Sequence, residues 1–174
     1  MTYFNFYQIP IGFYLDEAAL KKAFYAKSKE FHPDFHTMAD DDAQERALEM
    51  SSLNTQAYKT LSNFDNRMEY ILRERGILGD EGQDKMPNDF LMDMMELNEL
   101  IMELEFDFDE NNFQIAKNML QNLENESLND VSTILKTYSP TTTTSEDEKK
   151  IKIFYLKRKY FLRIQKSMLT FAPH

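Results

Sequence analysis

The stretch that decides the fold reads Leu20-Lys-Lys-Ala-Phe-Tyr-Ala-Lys-Ser-Lys-Glu-Phe31, and His32-Pro33-Asp34 follows it directly. Its apolar residues Leu20, Phe24 and Phe31 fall on one face of a helix. Pro33 cannot continue a helix, and it restricts the residue before it to an extended conformation. The helix is therefore expected to end near Phe31 and to leave His32 and Asp34 on a stiff, exposed corner.

The polar face of the same stretch is basic. Its lysines are Lys21, Lys22, Lys27 and Lys29. A basic helix beside a fixed His and Asp suits an acidic surface on another protein, because complementary charge steers and orients association. The competing interpretation is a simple turn, since Pro and Asp both favour turns wherever they occur.

Composition limits the fold and the function classes. The chain has 174 residues, 42% of them hydrophobic, with only four Gly and five Pro, so we expect long helices and an all-α fold. The net charge of −10 argues against general nucleic-acid binding, and the absence of cysteine excludes disulfides and thiolate metal sites. No apolar run approaches the roughly 20 residues that span a bilayer, and no leader peptide is visible. A cytoplasmic protein that binds neither nucleic acid nor membrane is expected.

Around the lysine-rich helix, the first half of the chain predicts a compact helical unit. A short helical segment is expected at Tyr3–Tyr7, and Asp16 is the expected N-cap of the basic helix. Acidic residues at 40–42 begin a long helix that runs to about Leu61. Residues 63–65 break it, a last short helix covers 67–75, and Gly76 ends that helix.

The second half predicts a three-helix bundle with up-down-up topology. Asn88 is expected to cap a helix that runs to about Phe106, and a second helix runs from about Asp109 to Tyr138. A polar loop then leads to a last helix at 146–168. The predicted organisation is a first domain at 1–76, a linker at 77–87 and a second domain at 88–174.

Further segments, taken with His32-Pro33-Asp34, resemble successive landmarks of one family. They are Ser52-Leu-Asn-Thr-Gln-Ala-Tyr-Lys-Thr-Leu61, Arg67-Met-Glu-Tyr-Ile-Leu72 and Phe90-Leu-Met92 with Met95-Glu-Leu97. The chain resembles the HscB-type (Jac-type) J-protein co-chaperones of iron–sulfur cluster assembly over nearly its whole length. It shows neither the Gly/Phe-rich linker nor the cysteine repeats of general J-proteins.

The resemblance implies a division of labour between two domains. The first, a J-domain, would dock on a DnaK/HscA-type heat-shock chaperone and stimulate its ATPase. The implied chaperone-binding residues are His32, Pro33, Asp34, Lys21, Lys22, Lys27 and Lys29. The second domain would hold the IscU-type scaffold protein on which clusters are built.

The scaffold-binding surface is expected on the first helix of the second domain. Helical periodicity places Phe90, Met94, Leu97, Ile101 and Leu104 on one stripe, which we assign to the core. Beside the stripe lie residues that the resemblance assigns to the scaffold: Leu91, Met92, Met95, Glu96, Glu99 and Glu103, with Tyr155 from the last helix. Asn98 stands where better-known members carry a charged residue. The alternative is that Leu91, Met92 and Met95 serve packing only.

Other chemistry is not expected. His32 and His36 have a spacing that suits a metal on a helix, but Pro33 makes a continuous helix there unfavourable. No phosphate loop or catalytic triad is visible, so we expect no metal, no cofactor and no catalytic site. Two alternatives stay open: a J-domain co-chaperone for a different client, and a non-catalytic helical scaffolding protein.

Overall fold

The structure, a computed structural model, describes residues 1–35, 40–79 and 85–171. Within these ranges the chain forms seven α-helices and one short 3-10 helix, with no strand. The α-helices are α1 Tyr3–Tyr7, α2 Glu17–Glu30, α3 Asp41–Leu61, α4 Phe64–Glu74, α5 Asn88–Phe106, α6 Glu110–Thr137 and α7 Ser145–Phe171; the 3-10 helix is Pro33–Phe35. The all-α prediction is confirmed.

Contacts along the backbone divide the chain into two compact units. The first comprises Met1–Glu74 with Tyr138–Thr141, and the second comprises Arg75–Thr137 with Thr142–His174. The predicted linker at 77–87 lies partly outside the described residues. The domain boundaries at 1–76, 77–87 and 88–174 therefore stay a prediction.

Helix starts in the first unit follow the capping signals of the sequence. The Asp16 carboxylate accepts a hydrogen bond from the backbone N–H of Ala19 at 2.9 Å, and Asp40 accepts one from Ala43 at 2.8 Å. Each bond satisfies a donor that the first helical turn leaves without a partner. Gly76 has a positive φ of 66°, a conformation that glycine adopts without strain, and it follows the end of α4 as predicted.

The core of the first unit contains a buried polar network. Asn54 of α3 is buried, and its side-chain N–H groups donate to the carbonyl of Phe24 at 3.1 Å and to the Ser28 hydroxyl at 3.0 Å, both on α2. The Tyr7 hydroxyl of α1 donates to Asn54 Oδ1 at 2.7 Å. Burial of that hydroxyl raises the pKa of Tyr7 well above its usual range. One amide thus connects three helices.

Arg67 of α4 makes a second buried polar contact. Its Nε donates to the Phe13 carbonyl at 3.0 Å, and another guanidinium N–H donates to the Leu61 carbonyl. Burial lowers the pKa of Arg67, although Glu17 and Tyr14 oppose that shift. These bonds satisfy the carbonyl at the end of α3 and that of the segment before α2.

Helices α5, α6 and α7 form the second unit, and each of the three contacts the other two. The five stripe residues predicted on α5, from Phe90 to Leu104, are all buried. They pack against Ala116 and Leu120 of α6 and against Phe161, Ile164 and Met168 of α7. The periodicity of α5 therefore identifies its core face correctly.

Two predicted helix starts are wrong in detail. α4 begins at Phe64 and not at 67, because the Asn63 side chain accepts the N–H of Asn66 at 2.9 Å and so starts the helix that it was expected to interrupt. Asn88 is the first helical residue of α5 and not its cap. Pro87 occupies the cap position, with no side-chain hydrogen bond.

Candidate functional site

The His-Pro-Asp corner stands directly after α2. The N–H of Phe31 still bonds to the Lys27 carbonyl at 2.9 Å, and the 3-10 helix begins at Pro33. The sequence His32-Pro33-Asp34 is exposed along its whole length. Pro33 thus ends the helix as predicted and keeps the two ionisable side chains in solvent.

Local hydrogen bonds hold the His32 ring. The N–H of Asp34 donates to His32 Nδ1 at 3.3 Å, and Asp34 Oδ2 lies 3.7 Å from the same nitrogen. Both contacts engage Nδ1, so Nε2 is the ring nitrogen that remains available to a partner. The corner therefore offers a ring nitrogen and a carboxylate acceptor to a partner.

The four lysines of α2 are not equivalent. Lys21, Lys22 and Lys29 are exposed, whereas Lys27 is half-buried. The ammonium of Lys27 lies 4.6 Å from the centre of the Phe6 ring and 5.4 Å from that of Phe31, so it also serves packing within the unit. The predicted chaperone-binding set thus contains three lysines in solvent and one that is engaged within the chain.

Two exposed aromatic residues lie beside this basic surface, and sequence reasoning did not select them. Tyr25 stands four residues after Lys21 and four before Lys29, which places all three on one helix face. Phe35 is 67% exposed, and its ring approaches the His32 ring edge-on at 5.9 Å. The sequence did contain a signal for these two residues, namely an aromatic residue next to a charged motif.

The predicted scaffold-binding residues of α5 share one exposed surface. Leu91, Met92 and Met95 are exposed, as are the carboxylates Glu96, Glu99 and Glu103. We call these six residues the α5 surface. Because the core is filled by the opposite stripe, none of the three apolar side chains belongs to the buried cluster.

Tyr155 does not lie on the α5 surface. Its side chain is 4% exposed, and the ammonium of Lys159 lies 5.6 Å from the centre of its ring. α7 carries apolar residues around most of its circumference, so its periodicity alone does not reveal which of them face inward. A scaffold-binding role for Tyr155 stays a prediction. The α5 surface comprises side chains of α5 alone.

An open groove between α6 and α7 contains a carboxylate with a perturbed pKa. The groove has a volume of about 580 Å³, and its lining includes Leu120, Glu124, Gln165 and Met168. Gln165 Nε2 donates to Glu124 Oε1 at 2.6 Å. Partial burial raises the pKa of Glu124, and the charge of Arg158 partly offsets that rise.

Metal and membrane sites were also considered. Among the described residues, no group of three or more His, Cys, Asp or Glu side chains is arranged to hold a metal ion. His36, which was weighed as a ligand with His32, lies outside those residues. The helices in the described ranges include none with the length and hydropathy to cross a membrane.

Sequence comparison connects this geometry with known proteins. The family model of the HSCB C-terminal oligomerisation domain matches residues 86–168. A protein named co-chaperone protein HscB homolog from Burkholderia multivorans is 36% identical over 101 residues, which is 58% of this chain and 58% of that protein. The homolog from Vibrio cholerae is 37% identical over 100 residues, or 57% and 58% of the two chains. The chain thus matches less than two thirds of the length of these curated relatives.

Solved structures extend the likeness along the chain. Chaperone HscB from Vibrio cholerae superposes with a TM-score of 0.78 at 25% identity, covering 97% of this chain and 96% of that one. Human co-chaperone protein HscB has the same fold, with a TM-score of 0.76 at 23% identity over 98% of this chain and 81% of the human one. The helical arrangement of both units is therefore that of HscB proteins.

Proposed function

We propose that this chain is an HscB-type co-chaperone and that it acts in the cytoplasm in iron–sulfur cluster assembly. It stimulates ATP hydrolysis by a DnaK/HscA-type heat-shock chaperone and delivers an IscU-type scaffold protein to that chaperone. The observation that carries the proposal is the exposed His-Pro-Asp corner at the end of the basic helix α2. The protein itself needs no catalytic site for this work.

Binding to the chaperone depends on the charge of α2 and on the geometry of the His-Pro-Asp corner. Lys21, Lys22 and Lys29 attract an acidic face of the chaperone and orient the first unit against it. His32 and Asp34 then present a ring nitrogen and a carboxylate from a backbone that Pro33 has already restricted. This restriction reduces the conformational entropy that the backbone loses on binding.

The scaffold end rests on the α5 surface. Met92 and Met95 provide flexible, polarizable side chains that adapt to a partner surface. Glu96, Glu99 and Glu103 form a charged border, which favours a basic partner and excludes an acidic one. We propose that the scaffold is held here while the corner engages the chaperone.

The experiment that tests the chaperone end measures steady-state ATP hydrolysis by the chaperone. His32→Gln should abolish stimulation while circular dichroism stays unchanged, because the exposed imidazole makes no core contact. Lys59→Gln, which changes an exposed residue of α3, is the control and should stimulate like wild type. Full stimulation by His32→Gln would refute the proposed role of the corner, and absence of stimulation by wild type would favour the alternative of a helical scaffolding protein.

The client is tested separately by calorimetric titration with the scaffold. Met92→Ala/Met95→Ala/Glu96→Ala should weaken binding by roughly a hundredfold, as expected when central interface residues are truncated. Leu128→Ala/Leu162→Ala/Glu126→Ala removes comparable exposed groups from α6 and α7 and should bind normally. If wild type stimulates the chaperone but does not bind the scaffold, the chain is a J-domain co-chaperone for a different client.

A further inference from the structure

Exposed apolar residues continue along α5 beyond Met95, the last apolar residue of the α5 surface. Met102 is 67% exposed and Phe106, the last residue of the helix, is 95% exposed. At 100° per residue, Leu91, Met95, Met102 and Phe106 fall within about 60° of the helix circumference. These four residues form one straight row, which we call the α5 row.

The α5 row is long for an exposed apolar feature. Leu91 and Phe106 are 15 residue steps apart, which at a rise of 1.5 Å per step is about 22 Å. Single exposed apolar side chains are ordinary on protein surfaces, whereas several aligned on one helix face indicate a contact surface. The exposed polar residue Asn98 lies between Met95 and Met102 on this face. The core of the second unit does not need these residues, because Phe90, Met94, Leu97, Ile101 and Leu104 already supply the buried face of α5.

Charge along the row is arranged asymmetrically. Glu96, Glu99 and Glu103 lie about 80–140° around the helix from Leu91 and so border one edge of the row. α5 contains no basic residue, and in the part of the chain that the structure describes no cation forms an ion pair with these three carboxylates. On the opposite edge, Glu105 accepts a hydrogen bond from Ser167 of α7 at 3.0 Å.

We propose that the scaffold-binding surface covers the full length of α5, with Met102 and Phe106 at its far end. The matching surface of the scaffold is an apolar ridge about 22 Å long with Lys or Arg side chains along one edge. This inference rests on the proposed function and extends the apolar part of the α5 surface, which ends at Met95, by about three helical turns. Phe106 is the anchor of the far end, because an aromatic side chain buries more area than any other residue in the row.

The test compares scaffold affinity among full-length variants, measured by isothermal titration calorimetry with the purified IscU-type scaffold. Phe106→Ala should weaken binding roughly tenfold, and Met102→Ala/Phe106→Ala should weaken it further. Phe106→Leu should recover most of the affinity, since it restores an apolar side chain. Stimulation of the chaperone ATPase without scaffold should stay at the wild-type level in every variant.

Control variants distinguish a loss of scaffold contacts on α5 from a general effect of removing an exposed side chain. Leu162→Ala removes an exposed apolar side chain from α7 and should bind the scaffold normally. Glu99→Gln/Glu103→Gln should weaken binding at low salt, and the loss should shrink as salt is raised, because screening already weakens those charges in wild type.

Several results would overturn the inference. Wild-type affinity in Met102→Ala/Phe106→Ala, beside weak binding by the Met92/Met95/Glu96 variant, refutes the extension and leaves the proposed function standing. A change in self-association by sedimentation, with scaffold affinity unchanged, shows that a second copy occupies the far end. Absence of scaffold binding by wild type removes both the inference and the scaffold part of the proposed function.

Discussion

At the residue scale, Asn54 is a buried polar residue that joins three helices of the first unit. Its buried amide donates to two groups on α2 and accepts from Tyr7 on α1. A buried polar group that loses its partner costs far more than the hydrogen bond contributes, since no water replaces the lost contact. The network therefore penalises any arrangement in which α1, α2 and α3 do not meet.

Asn54→Ala should destabilise the first unit by about 2–3 kcal/mol, because it removes the side-chain hydrogen bonds to Tyr7, Phe24 and Ser28 together. The Tyr7 hydroxyl keeps one acceptor, the backbone carbonyl of residue 54 at 2.9 Å. Tyr7→Phe removes only the hydroxyl and should cost about 1–2 kcal/mol. Urea unfolding followed by circular dichroism measures both. Thr55→Ala, at the adjacent exposed position, is the control. Equal stability of Asn54→Ala and Thr55→Ala would contradict this role for the network.

Glu124 predicts a pH dependence in the second unit. Burial raises its pKa in the folded chain, so the folded state binds more protons than the unfolded state between the ordinary and the raised value. Stability should therefore fall as pH rises through that window. Glu124→Gln should remove this component and unfold at a higher temperature at neutral pH, while Glu126→Gln, at an exposed position, should not. A pH profile unchanged by Glu124→Gln would refute the assignment.

At the element scale, helix ends are set by a few backbone positions. Gly76 has a φ of 66°, and a side chain added there would meet no atom within 4 Å, so only backbone strain opposes substitution. Gly76→Ala should cost about 1 kcal/mol, because L-residues disfavour the left-handed region. Thermal unfolding measures the loss, and Gly76→Asn should lose less.

Gly12→Ala is the matched control for that prediction. Its φ lies outside the left-handed region, and an added Cβ would meet the Tyr14 carbonyl oxygen at an ordinary 3.5 Å. This variant should be close to neutral. Equal destabilisation by the two substitutions would show that glycine content, and not the cap, determines the cost.

Helical periodicity and the residues that start and stop helices were enough to predict most of the helices. The apolar stripe of α5, the Asp16 cap and the end of α4 at Gly76 follow from local rules, and the structure confirms them. The start of α4 was missed because Asn63 both interrupts one helix and caps the next. The burial of Asn54 and Tyr155 was not predictable locally, because it depends on residues distant in sequence.

The candidate site likewise contains residues whose exposure is predictable from the sequence and residues whose exposure is not. The exposure of His32 and of Met92 follows from their positions in or beside a helix. Phe106 escaped notice because a helix-terminal aromatic residue is buried or exposed according to where the chain turns next. Three-dimensional packing, and not the residue pattern, decides such positions.

At the scale of the whole molecule, opposite surface charges separate the two proposed functions. The proposed chaperone surface is basic on a chain of net charge −10, whereas α5 is acidic. A partner with an acidic face would be attracted to the basic surface and repelled by α5, and a partner with a basic face would show the reverse preference.

Removing the basic charge of α2 should slow association with the chaperone and leave scaffold binding unchanged. Lys21→Gln/Lys22→Gln/Lys29→Gln should slow association with the chaperone at low salt by roughly tenfold or more, and the difference should narrow as salt rises. Stopped-flow kinetics at several ionic strengths measures the association rate constant. Scaffold affinity should stay unchanged. A loss of association that is independent of salt would contradict an electrostatic role for these lysines.

The most direct test of the proposed function is complementation between two defective chains. Chaperone ATP hydrolysis is measured with limiting co-chaperone and a fixed amount of scaffold. We combine His32→Gln, which lacks the chaperone end, with Met92→Ala/Met95→Ala/Glu96→Ala, which lacks the scaffold end. The mixture should stay well below wild type, because the chaperone-binding and scaffold-binding surfaces must act on one chain. Wild-type stimulation by the mixture would contradict this requirement.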